Sequence, residues 1–125
     1  MAASKLVSLV DDDESVRESL PDLLRSFGLE VEPFSSAEAF LESDSLARTG
    51  CLILDVAMPG MSGPELQQEL ARRRHGIPIV FITAHSDEGM APKTLRRGAV
   101  ACLFKPFSEA ALLEAVNAAL GSGGA

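Results

Sequence analysis

Five polar residues, each placed directly after an apolar run, are the residues of this chain that could perform chemistry together. They are Asp11, Asp12, Asp55, Thr83 and Lys105. Carboxylates that lie close together raise the pKa of at least one of them unless a cation lies among them. Oxygen ligands open to water suit Mg²⁺, which keeps several of its waters. With a lysine and a hydroxyl, such a site has the groups that stabilise phosphoryl transfer to a carboxylate.

These residues can meet only if the apolar runs before them are neighbouring strands. Runs of strand length alternate with segments of helical periodicity along the chain. The predicted strands are Lys5–Val10, Glu30–Phe34, Cys51–Asp55, Ile77–Ile82 and Val100–Phe104. The predicted helices are Glu14–Phe27, Ala37–Leu46, Pro64–Arg74, Pro92–Arg97 and Glu109–Leu120.

The alternation of five strands with five helices indicates an α/β fold built from parallel β/α units with right-handed crossovers. The second strand is the least apolar, as suits a sheet edge. We therefore predict a flavodoxin-like, doubly wound five-stranded parallel sheet in the order 2-1-3-4-5. In this order the first and third strands are neighbours, and ligands bind at the carboxyl ends of the strands.

Local signals place two of the helix starts. The segment Ser35-Ser36-Ala37-Glu38 resembles a capping box that opens the second helix. The natural start of the fourth helix near Asp87 is interrupted by Gly89 and Pro92, so ordered helix is expected only from about Pro92.

Length and composition fit one domain over residues 1–120, followed by a flexible tail or the start of a linker over residues 121–125. The net charge of −7 opposes direct nucleic-acid binding by this chain. No apolar run is long enough to span a bilayer and no signal peptide is evident, so we expect a cytoplasmic protein. Cys51 and Cys102 lie in apolar runs and are interpreted as small buried side chains.

The joint spacing of four motifs resembles the receiver domain of two-component response regulators. The motifs are Val10-Asp11-Asp12-Asp13, Leu54-Asp55-Val56-Ala57-Met58-Pro59-Gly60-Met61-Ser62-Gly63, Phe81-Ile82-Thr83-Ala84 and Phe104-Lys105-Pro106-Phe107. The resemblance covers about Lys5 to Leu120, and is closest to receivers that precede a helix-turn-helix DNA-binding domain.

The resemblance implies a role for each carboxylate. Asp55 would accept a phosphoryl group from the phosphohistidine of a histidine kinase or of a histidine phosphotransfer protein. Asp12, Asp55 and the backbone carbonyl of Ala57 would hold Mg²⁺ directly, and Asp11 would act mainly through a water.

The resemblance also assigns the other two side chains. Lys105 would pair with Asp55 and then with the acyl phosphate, and its peptide bond to Pro106 would be cis. Thr83 would bond a phosphoryl oxygen after transfer. The protein would then catalyse only its own phosphorylation and dephosphorylation, with no separate substrate.

The resemblance implies that phosphorylation changes the face formed by the fourth strand, fourth helix and fifth strand. That face would control an output domain or partner protein in transcription, and a phosphorylation-dependent homodimer is left open. An aromatic residue commonly lies three positions before the lysine in this family, whereas this chain has Cys102. We therefore hypothesise that the loop between the fourth strand and the fourth helix reports the phosphorylated state.

Three other functions are weighed against this interpretation. A flavodoxin-like nucleotide binder would need backbone donors after the first strand, where three aspartates would repel phosphate. The sequence pattern of the haloacid-dehalogenase phosphatases has a second acid two residues after the nucleophile. The chain has Ala57 at that position, so it does not match this pattern. A receiver-like interaction module that does not depend on phosphorylation is disfavoured because all the site residues are present.

Overall fold

A computed structural model describes residues 6–84 and 89–123 of the chain. The strands are β1 (Leu6–Val10), β2 (Glu30–Phe34), β3 (Thr49–Asp55), β4 (Ile79–Thr83) and β5 (Ala101–Phe104). The α-helices are α1 (Glu14–Arg25), α2 (Ala37–Leu41), α3 (Gly63–Arg72), α4 (Met90–Arg96) and α5 (Glu109–Gly123), and a 3-10 helix spans Asp44–Arg48.

The five strands form one parallel sheet in the order β2-β1-β3-β4-β5, which confirms the predicted fold and strand order. β1 and β3 are neighbours, with Val10 opposite Leu54, and β3 is followed by β4, with Asp55 opposite Ile82. The strands that precede the candidate site residues therefore end along one edge of the sheet.

The central strand β3 is buried on both of its faces, which explains why its sequence is apolar without alternation. Cys51 and Ile53 join a core that includes buried side chains of α1 and α5. Leu52 and Leu54 join a second core, on the side of α2 and α3. Each buried aliphatic side chain of this kind contributes about 1.5–3 kcal/mol to folding. Asp55 therefore ends a strand that is fixed from both sides.

The predicted second helix is divided in the structure. α2 ends at Leu41, and the 3-10 helix begins after Ser43, whose backbone is extended (φ −86°, ψ 157°). The Ser43 hydroxyl donates to the Phe40 carbonyl at 2.8 Å. A side chain thus occupies a carbonyl that would otherwise accept a backbone N–H if the helix continued. The prediction of one continuous helix to Leu46 was wrong for this reason.

The fourth helix begins two residues earlier than predicted, at Met90. Pro92 is accommodated because it lies in the first turn, where a backbone N–H has no partner within the helix. The start considered near Asp87, like Lys5 of the first strand, lies outside the described residues. The other boundaries differ from the predictions by three residues or fewer.

The capping box lies at a different helix from the one predicted. It begins α3, where the Ser62 hydroxyl accepts the Glu65 N–H at 3.3 Å and the Glu65 carboxylate accepts the Ser62 N–H at 2.9 Å. At α2 the hydroxyl of Ser36 accepts the Ala39 N–H alone, because the N-cap is Ser36 rather than Ser35 and the third helical position is therefore Ala39, which has no side-chain acceptor.

Neither membrane insertion nor a disulfide is visible in the part of the chain that the structure describes. No helix there is long and apolar enough to cross a bilayer. Cys51 and Cys102 are both free thiols. Burial raises the pKa of the Cys51 thiol to about 12, so this side chain serves as a core hydrophobe.

Gly63 allows the start of α3 to pack against the end of β3. A Cβ added there would lie 2.2 Å from the Asp55 carbonyl oxygen and 3.0 Å from the Phe81 ring. We expect Gly63→Ala to lower the free energy of unfolding by about 1–3 kcal/mol, because backbone must shift to admit the methyl group. Urea unfolding would measure it. Gly76→Ala is the control, since a Cβ there meets nothing within 4 Å; equal effects of the two changes would contradict the prediction.

Candidate functional site

Asp11 is fixed more completely than any other candidate residue at the edge of the sheet. It follows β1 with no exposed surface, and its N–H donates to the Phe34 carbonyl of β2 at 3.1 Å. Its Oδ1 accepts the Asp13 N–H at 2.9 Å, and its backbone carbonyl accepts the Arg17 guanidinium at 2.9 Å. Hydrogen bonds to its backbone N–H, its backbone carbonyl and its carboxylate therefore fix this residue. Sequence reasoning missed the contribution of Arg17, which lies on α1 with no motif to mark it.

The three consecutive aspartates have different roles. Asp13 is the N-cap of α1: its Oδ1 accepts the N–H of Ser15 at 2.9 Å and the hydroxyl of Ser15 at 2.7 Å. These hydrogen bonds lower the pKa of Asp13. Asp12 is exposed, and Asp11 is buried. One of the three therefore performs the structural role that is typical of acids before a helix, and two are left for the site.

Asp55 ends β3 and is only 7% exposed. Burial, followed by the negative charge of Asp11, raises the pKa of Asp55 to about 7, and the positive charge of Lys105 opposes this rise. A carboxylate held in this way is short of positive charge, which is the electrostatic condition that a bound cation would relieve.

The other two site residues come from the two strands beyond β3. Thr83 ends β4 without exposed surface, and its hydroxyl lies 3.4 Å from the Ala84 carbonyl oxygen. The Lys105 N–H donates to the Thr83 carbonyl at 2.7 Å, which ties the end of β5 to the end of β4. The peptide bond from Lys105 to Pro106 is cis, as the family resemblance implied.

The ammonium group of Lys105 pairs with a different carboxylate from the one expected. Its Nζ lies 3.2 Å from Oδ2 of the buried Asp11, and this is the ion pair that the structure shows for Lys105. The expected pair with Asp55 is replaced because Asp11 lies within reach and has no exposed surface through which water could solvate it. The charge of Lys105 still acts on Asp55, as the pKa of Asp55 shows.

The carboxylates of Asp11, Asp12 and Asp55 form a cluster. Each offers one oxygen, and these oxygens lie within 4.8 Å of one another. An all-oxygen donor set that is open to water through the exposed Asp12, and that includes a carboxyl with a raised pKa, fits a hard divalent cation. The backbone of the exposed Ala57, two residues after Asp55, begins the loop that leads to α3.

The chain combines a doubly wound parallel sheet with an acidic cluster and a lysine at the carboxyl edge of that sheet. This combination is typical of phosphoacceptor signalling switches. The family model for the response regulator receiver domain matches residues 7–117. The chain belongs to this family.

Several relatives are similar over nearly the whole chain. The response regulator protein TodT of Pseudomonas putida is 48% identical over 117 residues, which are 94% of this chain and 52% of TodT. The solved structure of the response regulator StyR has a TM-score of 0.90 at 52% identity, covering 97% of this chain and 61% of that one. FixJ-N has a TM-score of 0.86 at 40% identity, covering 93% of both chains. The chain spans about half the length of the curated relatives that it matches.

The raised pKa of Asp55 predicts a specific pH dependence in metal-free protein. Its pKa in the folded state exceeds the ordinary value of 3.8, so the folded state binds the proton more tightly than the unfolded state. The contribution of Asp55 to stability is present below about pH 4 and is lost as pH rises towards about 7. We expect Asp55→Asn to stabilise the metal-free protein at about pH 8 by on the order of 2 kcal/mol relative to wild type, and much less at about pH 5.

Urea unfolding with a chelator at both pH values would measure this difference. The charged groups that act on Asp55 are Asp11, Asp12 and Lys105, and all three remain in the variant. Glu42→Gln, at an exposed carboxylate after α2, is the control. A stabilisation by Asp55→Asn that is the same at both pH values would contradict the prediction.

Proposed function

We propose that Asp55 is the phosphoacceptor of this receiver domain and that Mg²⁺ binds among Asp12, Asp55 and the Ala57 carbonyl, with Asp11 acting mainly through a water. The single observation that best supports the proposal is the cluster of three carboxylates within 4.8 Å. The raised pKa of Asp55 also supports it, because burial and the nearby charge of Asp11 make the ionised carboxylate unfavourable when no cation is bound. Mg²⁺ would supply positive charge to the transferred group and to the attacking carboxylate.

The residues of the chain then have distinct roles in the transfer. An Asp55 oxygen forms the bond to phosphorus while the bond from phosphorus to the donor's imidazole nitrogen breaks. Lys105, held 3.2 Å from Asp11, would stabilise the charge on the phosphoryl oxygens. The Thr83 hydroxyl would donate to one of these oxygens. Hydrolysis of the acyl phosphate would reset the switch, so the only turnover is that of Asp55 itself.

The phosphoryl donor would be a histidine kinase or a histidine phosphotransfer protein in the cytoplasm. The output would be transcriptional, through a separate output domain or a partner protein. Two relatives support this output, since TdiR and FixJ are named transcriptional regulatory proteins. Homodimerisation on phosphorylation would be compatible with the same scheme. Within this proposal residues 1–120 form the receiver domain, and the tail or linker expected over residues 121–125 would begin only after α5, which continues to Gly123.

Incubation with acetyl phosphate and Mg²⁺, followed by intact-mass measurement, tests the proposal. Wild type should gain one phosphoryl group, because Asp55 has the environment of a nucleophilic carboxylate. Asp55→Ala should gain none, and removal of Mg²⁺ with a chelator should abolish the gain in wild type. Asp44→Ala, at an exposed carboxylate of the 3-10 helix, is the control and should behave as wild type. No gain in wild type would favour the interaction module that does not depend on phosphorylation.

The face formed by β4, α4 and β5 would carry the signal. Thr83 lies at the end of β4, and Thr94 of α4 is fully buried against this part of the fold. Burial raises the pKa of the Cys102 thiol in β5, and a hydrogen bond from Thr94 opposes that rise. Helix α4 and strand β5 are therefore in contact at Cys102, the position at which related receiver domains commonly have an aromatic residue. This contact supports a response through the segment between Thr83 and α4.

The phosphoryl analogue beryllofluoride, added with Mg²⁺, should shift the amide NMR signals of residues 84–97 in wild type. Thr83→Ala should bind the analogue and show much smaller shifts there, because the hydroxyl that connects the phosphoryl group to β4 is absent. Thr83→Ser keeps the hydroxyl and should respond as wild type does. Unchanged signals in wild type, or equal shifts in Thr83→Ala, would refute this route for the signal.

A further inference from the structure

Glu38 bonds to a loop of the site rather than to its own helix. It lies in the first turn of α2, and its Oε2 accepts the Met61 backbone N–H at 3.2 Å, across 23 positions of sequence. Met61 belongs to the segment between the end of β3 and the start of α3, which we call the β3–α3 loop (residues 56–62). An acid at this helix position ordinarily interacts with the N–H groups of its own first turn. The bond to Met61 therefore calls for an explanation beyond helix capping.

The loop is shaped to receive this carboxylate. Gly60 has a positive φ of 75°, and a Cβ added there would lie 3.0 Å from Glu38 Oε2. The backbone thus approaches the carboxylate closely at Gly60 and donates to it at the next residue. Glycine meets both requirements, since it adopts positive φ readily and has no side chain to collide with Glu38.

The ends of the β3–α3 loop are held separately. The Val56 N–H donates to the Ile82 carbonyl of β4 at 3.2 Å, and the Gly63 N–H closes the loop on the Val56 carbonyl at 3.0 Å. Ser62 is fixed by its capping box with Glu65. The bond from Met61 to Glu38 connects the loop, one residue before Ser62, to a separate helix.

The helix that carries Glu38 is anchored in the core. Ala37 and Phe40 of α2 have no exposed surface, and the Phe40 ring meets Phe34 edge to face at a centroid distance of 5.5 Å. Glu38 therefore extends from a fixed support, although α2 is only five residues long. A hydrogen bond from a fixed support limits the conformations of a loop more than a bond within the loop does.

We propose that Glu38 is a positioning residue, whose carboxylate holds the β3–α3 loop in the conformation in which the Ala57 backbone carbonyl completes the metal site. The inference depends on the proposed function, because Ala57 matters only if a cation binds beside Asp55. Loss of the bond would leave the three carboxylates in place and disorder the backbone ligand. Outer partners of this kind typically change metal affinity by 10–100-fold, and Glu38, which is exposed, belongs at the low end of that range.

The test compares Glu38→Ala, which removes the acceptor, with Glu38→Gln, which keeps an acceptor oxygen and removes the charge. Glu42→Ala, at an exposed carboxylate just after the same helix, is the matched control. Hydrogen exchange of the Met61 amide is measured in metal-free protein, the dissociation constant for Mg²⁺ by calorimetry, and the phosphorylation rate with acetyl phosphate by intact mass. Thermal unfolding of each variant reports its global stability.

We expect Glu38→Ala to show faster exchange at Met61 and about tenfold weaker Mg²⁺ binding. Its phosphorylation should slow at subsaturating Mg²⁺ and recover at saturation. Glu38→Gln should be close to wild type, because its amide oxygen still accepts from Met61, and Glu42→Ala should match wild type.

Three outcomes would overturn the inference. The first is an Mg²⁺ affinity of Glu38→Ala equal to that of wild type. A lower unfolding temperature in that variant would not change this conclusion, because a residue that only stabilises its helix would alter the unfolding temperature alone. Equal losses in Glu38→Gln and Glu38→Ala would assign the effect to charge rather than to the hydrogen bond. Absence of Mg²⁺ binding in wild type would remove the basis for the inference. If wild type binds Mg²⁺ but accepts no phosphoryl group, the proposed function fails while the exchange and affinity measurements still decide the role of Glu38.

Discussion

The mutual repulsion of the carboxylates of Asp11, Asp12 and Asp55 is the constraint on which the rest of the structure depends. Three acidic oxygens within 4.8 Å are unfavourable in a metal-free protein, and the pKa of Asp55, raised to about 7, expresses part of that cost. The fold withstands it because Asp11 and Asp55 end two adjacent strands, β1 and β3, whose side chains are almost fully buried. The packing of the whole sheet therefore holds the three carboxylates close together, although their mutual repulsion opposes this arrangement.

The four charged groups divide the work of the site according to their burial. Asp11 is fully buried and is satisfied by Lys105 and by the Asp13 N–H, so it is the least free to move. Asp55 is nearly buried, and the charge of Lys105 opposes the rise of its pKa only in part. Asp12 is exposed and can exchange ligands with water. This gradient from a fixed to an accessible carboxylate would suit the proposed reversible binding of a cation and a phosphoryl group, because only the outer carboxylate would need to regain its water.

The fold, and the meeting of three carboxylates and a lysine at one edge of the sheet, could be predicted from the sequence, whereas the individual contacts between these side chains could not. Apolar runs that end in Asp, Thr and Lys indicate which side chains share an edge, because the alternation of strands and helices makes the strands parallel and the less apolar second strand indicates their order. The partner of Lys105 depends on side-chain reach within a few ångströms, and it proved to be Asp11. The bond from Glu38 to Met61 joins residues 23 positions apart, so the local sequence suggested a capping box instead. The end of α2 likewise depends on one serine hydroxyl.

The two ends of α4 are held differently, which bears on how a change at Thr83 would be transmitted. At the C-terminal end, the Thr94 carbonyl accepts both the Gln67 side-chain amide at 3.2 Å and the Ala99 N–H at 3.1 Å, and Gln67 is itself buried in α3. At the N-terminal end, the cap residue Gly89 has no side chain with which to cap the helix. If phosphorylation displaces Thr83 as proposed, the end of α4 that Gln67 holds would be the fixed point for a movement of this helix. In that proposal the helix itself would move, because Cys102 beside Thr94 is too small to replace an aromatic ring that rotates.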